Sequence, residues 1–339
     1  MKIWITGIAG FLGSYLEDSL TKLGHEVYGN DSMICSSVYL PPFKKIDCCD
    51  FDKMKHAMGM FGPDVVIHCA ATAHEGLSNF SPSFITRNIY EASVSTFSAA
   101  IASGVKRIVY MSSMARYGNG CYLQGTKEWR STPFDEWYVP NPVDPYGVAK
   151  VAAEDTLKIL SKTHGVEYVI AVPHNIIGPR QRYNDPYRNV ASIMINRALQ
   201  GKPLIVYGDG LQKRCFSPIK DCLDSLVKMV DAPISGETVN IGPDHGEMTI
   251  MDLTEIIIDL TGGISEIMHV SDRPNEVKEA YCSSDKAKKL LDFKPQQNIR
   301  DCLKEMVEHI RAKGIKDFEY SFPIEIEKGC PKTWKDKLI

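Results

Sequence analysis

Short apolar runs alternate with stretches in which apolar residues recur at helical spacing through the first half of the chain. "KIWIT" is followed by "GSYLEDSLTKLG" and "HEVYGND", and later come "DVVIHCAA" and "RIVYMSS". Runs of this kind predict buried strands, and the stretches between them predict amphipathic helices. Strand and helix in alternation imply βαβ units and a parallel sheet with helices on both faces, an α/β fold. The second half is less regular. "VNIG" and "EIMHV" read as short strands, "MDLTEIIIDLTGG" and "SSDKAKKLLDF" as helices, the last stopped by "KP". There are no repeats and no flexible linker, so a second region is expected to pack on the first. The tail, residues 316–339, is rich in Pro, Lys and Glu and is expected to run as an extended strap.

Composition narrows the function classes. A chain of 339 residues with 44% hydrophobic and 24% charged residues is ordinary for a globular protein, and a net charge of -3 gives no electrostatic reason to expect nucleic acid or an anionic membrane as partner. No apolar run is long enough to span a bilayer, and "MKIWITGIAGFLG" lacks the features of a signal peptide, so a cytoplasmic location is expected. The ten cysteines are scattered, with no CxxC pair and no histidine at metal-ligand spacing. They read as reduced, structural thiols, and no metal site is expected. Cys121 stands apart because it falls in a loop near the candidate chemistry.

Two patterns carry that chemistry. "ITGIAGFLGSYL" sets Gly7, Gly10 and Gly13 between the first strand and the first helix. Glycines there permit a tight turn and bring backbone N–H groups and a helix amino end against a pyrophosphate. Asp31 ends the second strand, where a carboxylate can accept both hydroxyls of an adenosine ribose and would repel a 2'-phosphate, which favours NAD over NADP. The second pattern is "PYGVAK" at 145–150, which places Tyr146 and Lys150 one helical turn apart on one face. A tyrosine acting as a base near neutrality must have its pKa, ordinarily about 10, brought down at a cost of about 4 kcal/mol. A neighbouring ammonium and an oxidised nicotinamide both favour the phenolate, so the pair suits moving a proton on and off a hydroxyl.

In order along the chain, TGxxGFLG, Asp31, "DCCD", "HCAA", "MSSMARYG", "DPYGVAK", "HNIIGPRQ", "LIVYGDG", "QKRCF" and "DRPNEV" resemble the extended short-chain dehydrogenases/reductases that modify nucleotide sugars, from Met1 to about residue 310. The resemblance is to the UDP-glucose 4-epimerase group. It implies a Rossmann-type doubly wound parallel sheet of about seven strands, binding NAD, formed by residues 1–172 with about 213–245. It also implies a smaller α+β domain for the nucleotide sugar, from about 173–212 and 246–315, and a homodimer through the helices after Ile89 and Tyr146. By the same resemblance Ser113, Tyr146 and Lys150 are catalytic. Gly7, Gly10, Phe11, Leu12 and Gly13 would meet the pyrophosphate, Asp31 the adenosine ribose, and Asp47 and Cys48 the adenine. Ala70, Ala71 and Asn88 would line the middle of the cofactor, and Pro173 the nicotinamide. Asn175, Arg214 and Arg273 would grip the substrate diphosphate, as guanidinium forks suit phosphate. Asn189 and Val190 would hold the base and Glu276 the nucleotide ribose.

The chain departs from the family pattern at several points. Cys215 replaces an aspartate, Pro218 interrupts a strand, and His174 stands where an aromatic residue is frequent, which suggests a packed histidine. The segment 119–132 is longer than the common loop and is expected near the sugar. Dehydratases of this family carry an Asp-Glu pair after the catalytic hydroxyl, decarboxylases a glutamate and GDP-fucose-forming epimerases a cysteine at the second of those places. Here the two places hold Met114 and Ala115. Chemistry that needs only the triad and NAD remains: inversion at C4 of a UDP-hexose or UDP-N-acetylhexosamine, a uronate included. A net 4-dehydrogenase or 4-ketoreductase would use the same residues, and a non-enzymatic NAD sensor is a third reading. Arg116 either points to solvent or marks a polar or negative group on the substrate, and His74 is left without a role.

Overall fold

Seven of the apolar runs join in one parallel sheet. The computed structural model describes all residues except 33–41 and 124. The strands are β1 (Lys2–Thr6), β2 (Glu26–Asp31), β3 (Phe43–Lys45), β4 (Val65–His68), β5 (Arg107–Met111), β6 (Glu167–Pro173) and β7 (Glu237–Ile241). Their order is β7-β6-β5-β4-β1-β2-β3, with every pairing parallel. Strands β4 and β5 are buried at every position, as expected of a sheet covered on both faces.

Alternate side chains pack the two faces of this sheet, which together form the main core. One face carries Trp4, Val66, Ile108, Tyr110 and Ile170 against the helices α2 (Phe51–Phe61), α3 (Ala92–Ala102) and α4 (Pro145–His164). The other carries Ile3, Ile5, Ile67, Val109 and Val239 against α1 (Phe11–Lys22) and the helices Ile219–Lys228 and Asp285–Leu291. The sheet is thus doubly wound. Because β1 has β2 on one side and β4 on the other, the connections leave in opposite directions there, and a crevice opens beyond the carboxyl ends of these strands.

A second core joins the helices Val190–Leu199, Ile250–Thr261 and Ile299–Lys313 through Met194, Ile195, Leu253, Ile257, Met306 and Ile310. Short strands accompany it, Leu204–Tyr207 with Ile267–Val270 and Lys213–Arg214 with Met248–Thr249 and Glu279–Ala280. Chain segments interleave between the two cores, since Lys213–Arg214 pairs within the second one whereas Ala287 and Leu291 pack on the main sheet. The tail ties both together. The carboxylate of Glu325 accepts from the N–H groups of Ser83 and Phe84 at 2.9 and 2.8 Å, the Arg197 guanidinium donates to the Leu338 carbonyl at 3.2 Å, and Trp334 and Ile339 bury against Leu77 and Phe80.

One buried ion pair fixes the loop after β5 to α4. The Arg116 guanidinium lies 2.9 Å from the Glu154 carboxylate, with the two side chains 4% and 0% exposed. Arg116 also donates to the Tyr117 hydroxyl at 3.1 Å, which donates in turn to Asn240 on β7 at 2.9 Å, and Ser112 donates to Glu154. Arg116 therefore points neither to solvent nor to a substrate. Two charges removed from water together are tolerable, but one left alone is not. Arg116→Met is expected to lower the unfolding free energy by about 3–5 kcal/mol in denaturant titrations. The Arg116→Met/Glu154→Met double variant should recover most of that loss.

Candidate active site

The glycine turn is shaped by close backbone approach. Gly7 has φ +67°, and a Cβ there would stand 2.9 Å from the Cα of Ala70 at the end of β4. A Cβ on Gly13 would come within 2.2 Å of the Gly7 carbonyl oxygen. Helix α1 begins directly after Gly10, which contributes no side-chain cap, so the first N–H groups of the helix are left for another partner. At the tip of β2, Asp31 accepts from the Ala9 N–H at 3.2 Å. Asp47 pairs with Arg87 at 3.3 Å, a partner with no signal in the sequence, and the Cys48 thiol accepts from Asn30 at 3.3 Å. Asn88 donates to the Phe84 carbonyl at 2.8 Å. The turn, the uncapped helix start and the carboxylate at the tip of β2 fit a dinucleotide.

Ser113, Tyr146 and Lys150 come together where β5 meets α4. Asp144 caps α4 by accepting from the Gly147 N–H at 2.9 Å, and a proline at the first helical position sets the start, so Tyr146 and Lys150 share the inward face. Lys150 is 3% exposed and donates to the Met111 carbonyl at 2.7 Å, with its Nζ 5.9 Å from the centre of the Tyr146 ring. Burial holds its ammonium down to about 8. Burial likewise raises the Tyr146 hydroxyl well above the ordinary tyrosine range, opposed first by its hydrogen bond with Ser113. The phenolate thus needs added positive charge, which an oxidised nicotinamide beside it would provide.

The end of the cleft expected to hold the substrate carries two arginines. Arg273 grips both oxygens of Glu276 at 2.7 and 2.8 Å, and Arg214 approaches the same carboxylate at 3.5 Å. Glu276 thus bridges the guanidinium groups. Asn175 adopts φ +44° and donates to the Cys215 carbonyl at 3.1 Å, while Asn189 caps the helix Val190–Leu199 by accepting from the Ala191 N–H at 3.0 Å. All the residues expected at the cofactor, the triad and the substrate lie along one cleft of about 560 Å³. The cleft also recruits groups to which no role was given: Asp144, which opens the DPYGVAK motif, Glu75, Asp185 and, from the tail, Phe322, Trp334 and Ile339. Only Asp144 had a local signal, as an Asp-Pro helix start.

Other expectations need correction. His74 lines the cleft, but its Nε2 is engaged by Asp185 at 2.9 Å in a buried pair. None of the described residues of the 119–132 segment lines the cleft; Cys121–Tyr122 pairs with Trp129–Arg130 in a hairpin, and Gln124 lies outside the described residues. The hairpin packs beside Tyr138 instead, because Leu123 bridges to it. Cys121 is buried and donates to the Tyr117 carbonyl at 3.2 Å. His174 is packed, its Nε2 against the Pro243 carbonyl at 2.9 Å, with burial lowering its pKa to about 4. Among the described residues every cysteine is a free thiol, no cluster could hold a metal ion, and no helix is long and apolar enough to cross a membrane; Cys35 lies outside them.

Comparison with known proteins agrees with this architecture. The model of the NAD dependent epimerase/dehydratase family matches residues 3–242, and the chain belongs to that family. A UDP-N-acetyl-alpha-D-glucosaminuronate decarboxylase of Bacillus cytotoxicus is 30% identical over 91% of this chain and 97% of its own. Among solved structures, UDP-glucose 4-epimerase of Thermotoga maritima with UDP-glucose superposes with a TM-score of 0.82 at 27% identity, covering 92% of this chain and 99% of the other. UDP-glucuronic acid 4-epimerase of Bacillus cereus, in complex with UDP-glucuronic acid and NAD, gives 0.81 at 26% identity with the same coverage.

The buried ammonium of Lys150 has a consequence for stability. With a folded pKa of about 8 against an ordinary 10.5, the charge costs the fold roughly 3 kcal/mol below pH 8, and the cost disappears as pH rises to 10.5. Lys150→Met is expected to raise Tm at pH 7, by an amount that shrinks between pH 8 and 10.5 in melts, while slowing turnover.

Proposed function

We propose that the chain is a nucleotide-sugar 4-epimerase, inverting the C4 hydroxyl of a UDP-hexose, a UDP-N-acetylhexosamine or the corresponding uronate through a transient 4-keto sugar. The observation that carries the reading is one cleft lined by Ser113, Tyr146 and Lys150 together with Arg214 and Arg273. A diphosphate held by the arginines leaves the sugar between them and the triad. Similarity to 4-epimerases for UDP-glucose and UDP-glucuronic acid supports the same assignment.

Bound along the glycine turn, NAD supplies a hydride acceptor that can return what it takes. Tyr146 receives the proton of the 4-hydroxyl, Ser113 orients that oxygen, and Lys150 supports the phenolate and holds the nicotinamide ribose. The keto sugar turns over on its diphosphate tether, and Tyr146 gives the proton back on the other face. Met114 and Ala115, both buried, offer no proton carrier beside the serine. The decarboxylating relative carries a different activity under the same fold, so the assay decides between reactions.

Incubation with UDP-glucose, UDP-N-acetylglucosamine and UDP-glucuronate should invert C4 of at least one of them, read by NMR, with no net change in nicotinamide absorbance. Net NADH formation or consumption would identify a dehydrogenase or ketoreductase instead. Tyr146→Phe should slow turnover by about 10²–10⁴-fold while NAD binding persists. Undiminished activity in that variant would overturn the mechanism.

A further inference from the structure

Glu75 has no part in the reaction as described, yet it lines the same cleft as Ser113, Tyr146, Arg214 and Arg273. It follows β4 at the start of the short helix Glu75–Ser78, and its side chain opens onto the cleft. Two observations locate it between the triad and the diphosphate grip. Ser78, on the same short helix, donates to Asp144 at 3.4 Å, next to Tyr146. A Cβ on Gly76 would stand 3.4 Å from the Arg273 guanidinium. The charged groups facing Glu75 are Asp144 from the start of α4, and Arg214, Arg273 and Glu276 from the outer end, and Tyr146 in turn feels its charge. Glu75 is exposed along the open cleft, yet the cleft walls around its carboxyl, and then Asp144, push it up to about 7 against the pull of the two arginines.

That environment suits proton exchange near neutrality, where a general base works best with a pKa close to the ambient pH. A ketone at C4 makes the C–H bonds at C3 and C5 acidic. We propose that Glu75 is a second proton-transfer residue, one that takes and returns the proton on a ring carbon next to the transient 4-ketone. The Glu75 carboxylate removes the proton, the C–H electron pair becomes a carbon–carbon double bond, and the carbonyl pair moves onto O4. Ser113 and the protonated Tyr146 donate hydrogen bonds to that oxyanion. Glu75 then returns a proton to the same carbon and the ketone reforms, so atoms and charge balance with no further reactant. The carrier missing at Met114 and Ala115 is in this way supplied from the segment after β4. The inference rests on the proposed oxidation at C4.

The test is turnover in D2O of UDP-glucose, UDP-N-acetylglucosamine and UDP-glucuronate, with NMR and mass spectrometry of the recovered nucleotide sugars. Inversion at C4 alone returns the original hydride and leaves the ring carbons without deuterium. Wild-type protein is expected to place deuterium at C3 or C5, faster above pH 7 than below it. Glu75→Gln keeps the shape and should cut incorporation by about 10²-fold or more relative to C4 inversion measured in the same sample, and Glu75→Asp should restore part of that ratio. C4 inversion without deuterium, or undiminished incorporation in Glu75→Gln, would overturn the inference and leave the 4-epimerase reading standing. If neither C4 inversion nor deuterium appears with any of the three, both fall.

Discussion

The active geometry depends on the Arg116–Glu154 ion pair beneath it. Ser113 sits on the loop after β5 and Tyr146 and Lys150 on α4, so their spacing is set by how that loop is held to that helix. Arg116, three residues after the serine, reaches Glu154, four residues after the lysine, and Ser112 donates to the same carboxylate. Tyr117 and Asn240 extend the chain of contacts to β7. A pair this deeply buried is poor value for stability alone. Its use here is geometric, because it admits one register between loop and helix.

Charge is distributed along the cleft in a way that matches its division of labour. The glycine turn offers backbone N–H groups and a helix amino end without a cationic side chain, which suits a cofactor held throughout turnover. The outer end offers two guanidinium groups bridged by Glu276, with Arg273 also 4.9 Å from the centre of the Tyr207 ring. Glu276 keeps these cations aligned and lowers the cost of holding them in a cleft lined by apolar tail residues. Between the two ends stand carboxyls, Glu75 and Asp144, of raised pKa. The inner section is therefore where proton positions are most easily changed.

The second core and the tail act on the site by closing it. Asn189 starts the helix Val190–Leu199 at the cleft edge, and that helix is packed on its far side by Met306 and Ile310. The tail returns across both cores and puts Phe322, Trp334 and Ile339 into the wall. A strap bonded to residues 83–84 on one side and to Arg197 on the other couples the two sides of the cleft.

Strand-helix alternation, the glycine turn and the tyrosine-lysine spacing were all legible in the chain. Each is a local property, set by side-chain periodicity, backbone freedom or a cap within a few residues, so the fold class and the cofactor end followed from it. Arg116 was left open between solvent and substrate, and Glu75 was missed, for the same reason. Whether a charged side chain meets water, a substrate or an opposite charge depends on what packs against it, and Glu154 lies 38 residues from Arg116 in the chain. Likewise nothing near His74 announces Asp185, and nothing in the tail announces that Trp334 reaches the cleft. The sequence by itself determined the scaffold and the placing of Tyr146 and Lys150 on one helix face, because those rest on short-range geometry. The tertiary structure alone decided which charges are spent on holding the site together and which remain for chemistry, because burial and pairing are set by residues distant in the chain.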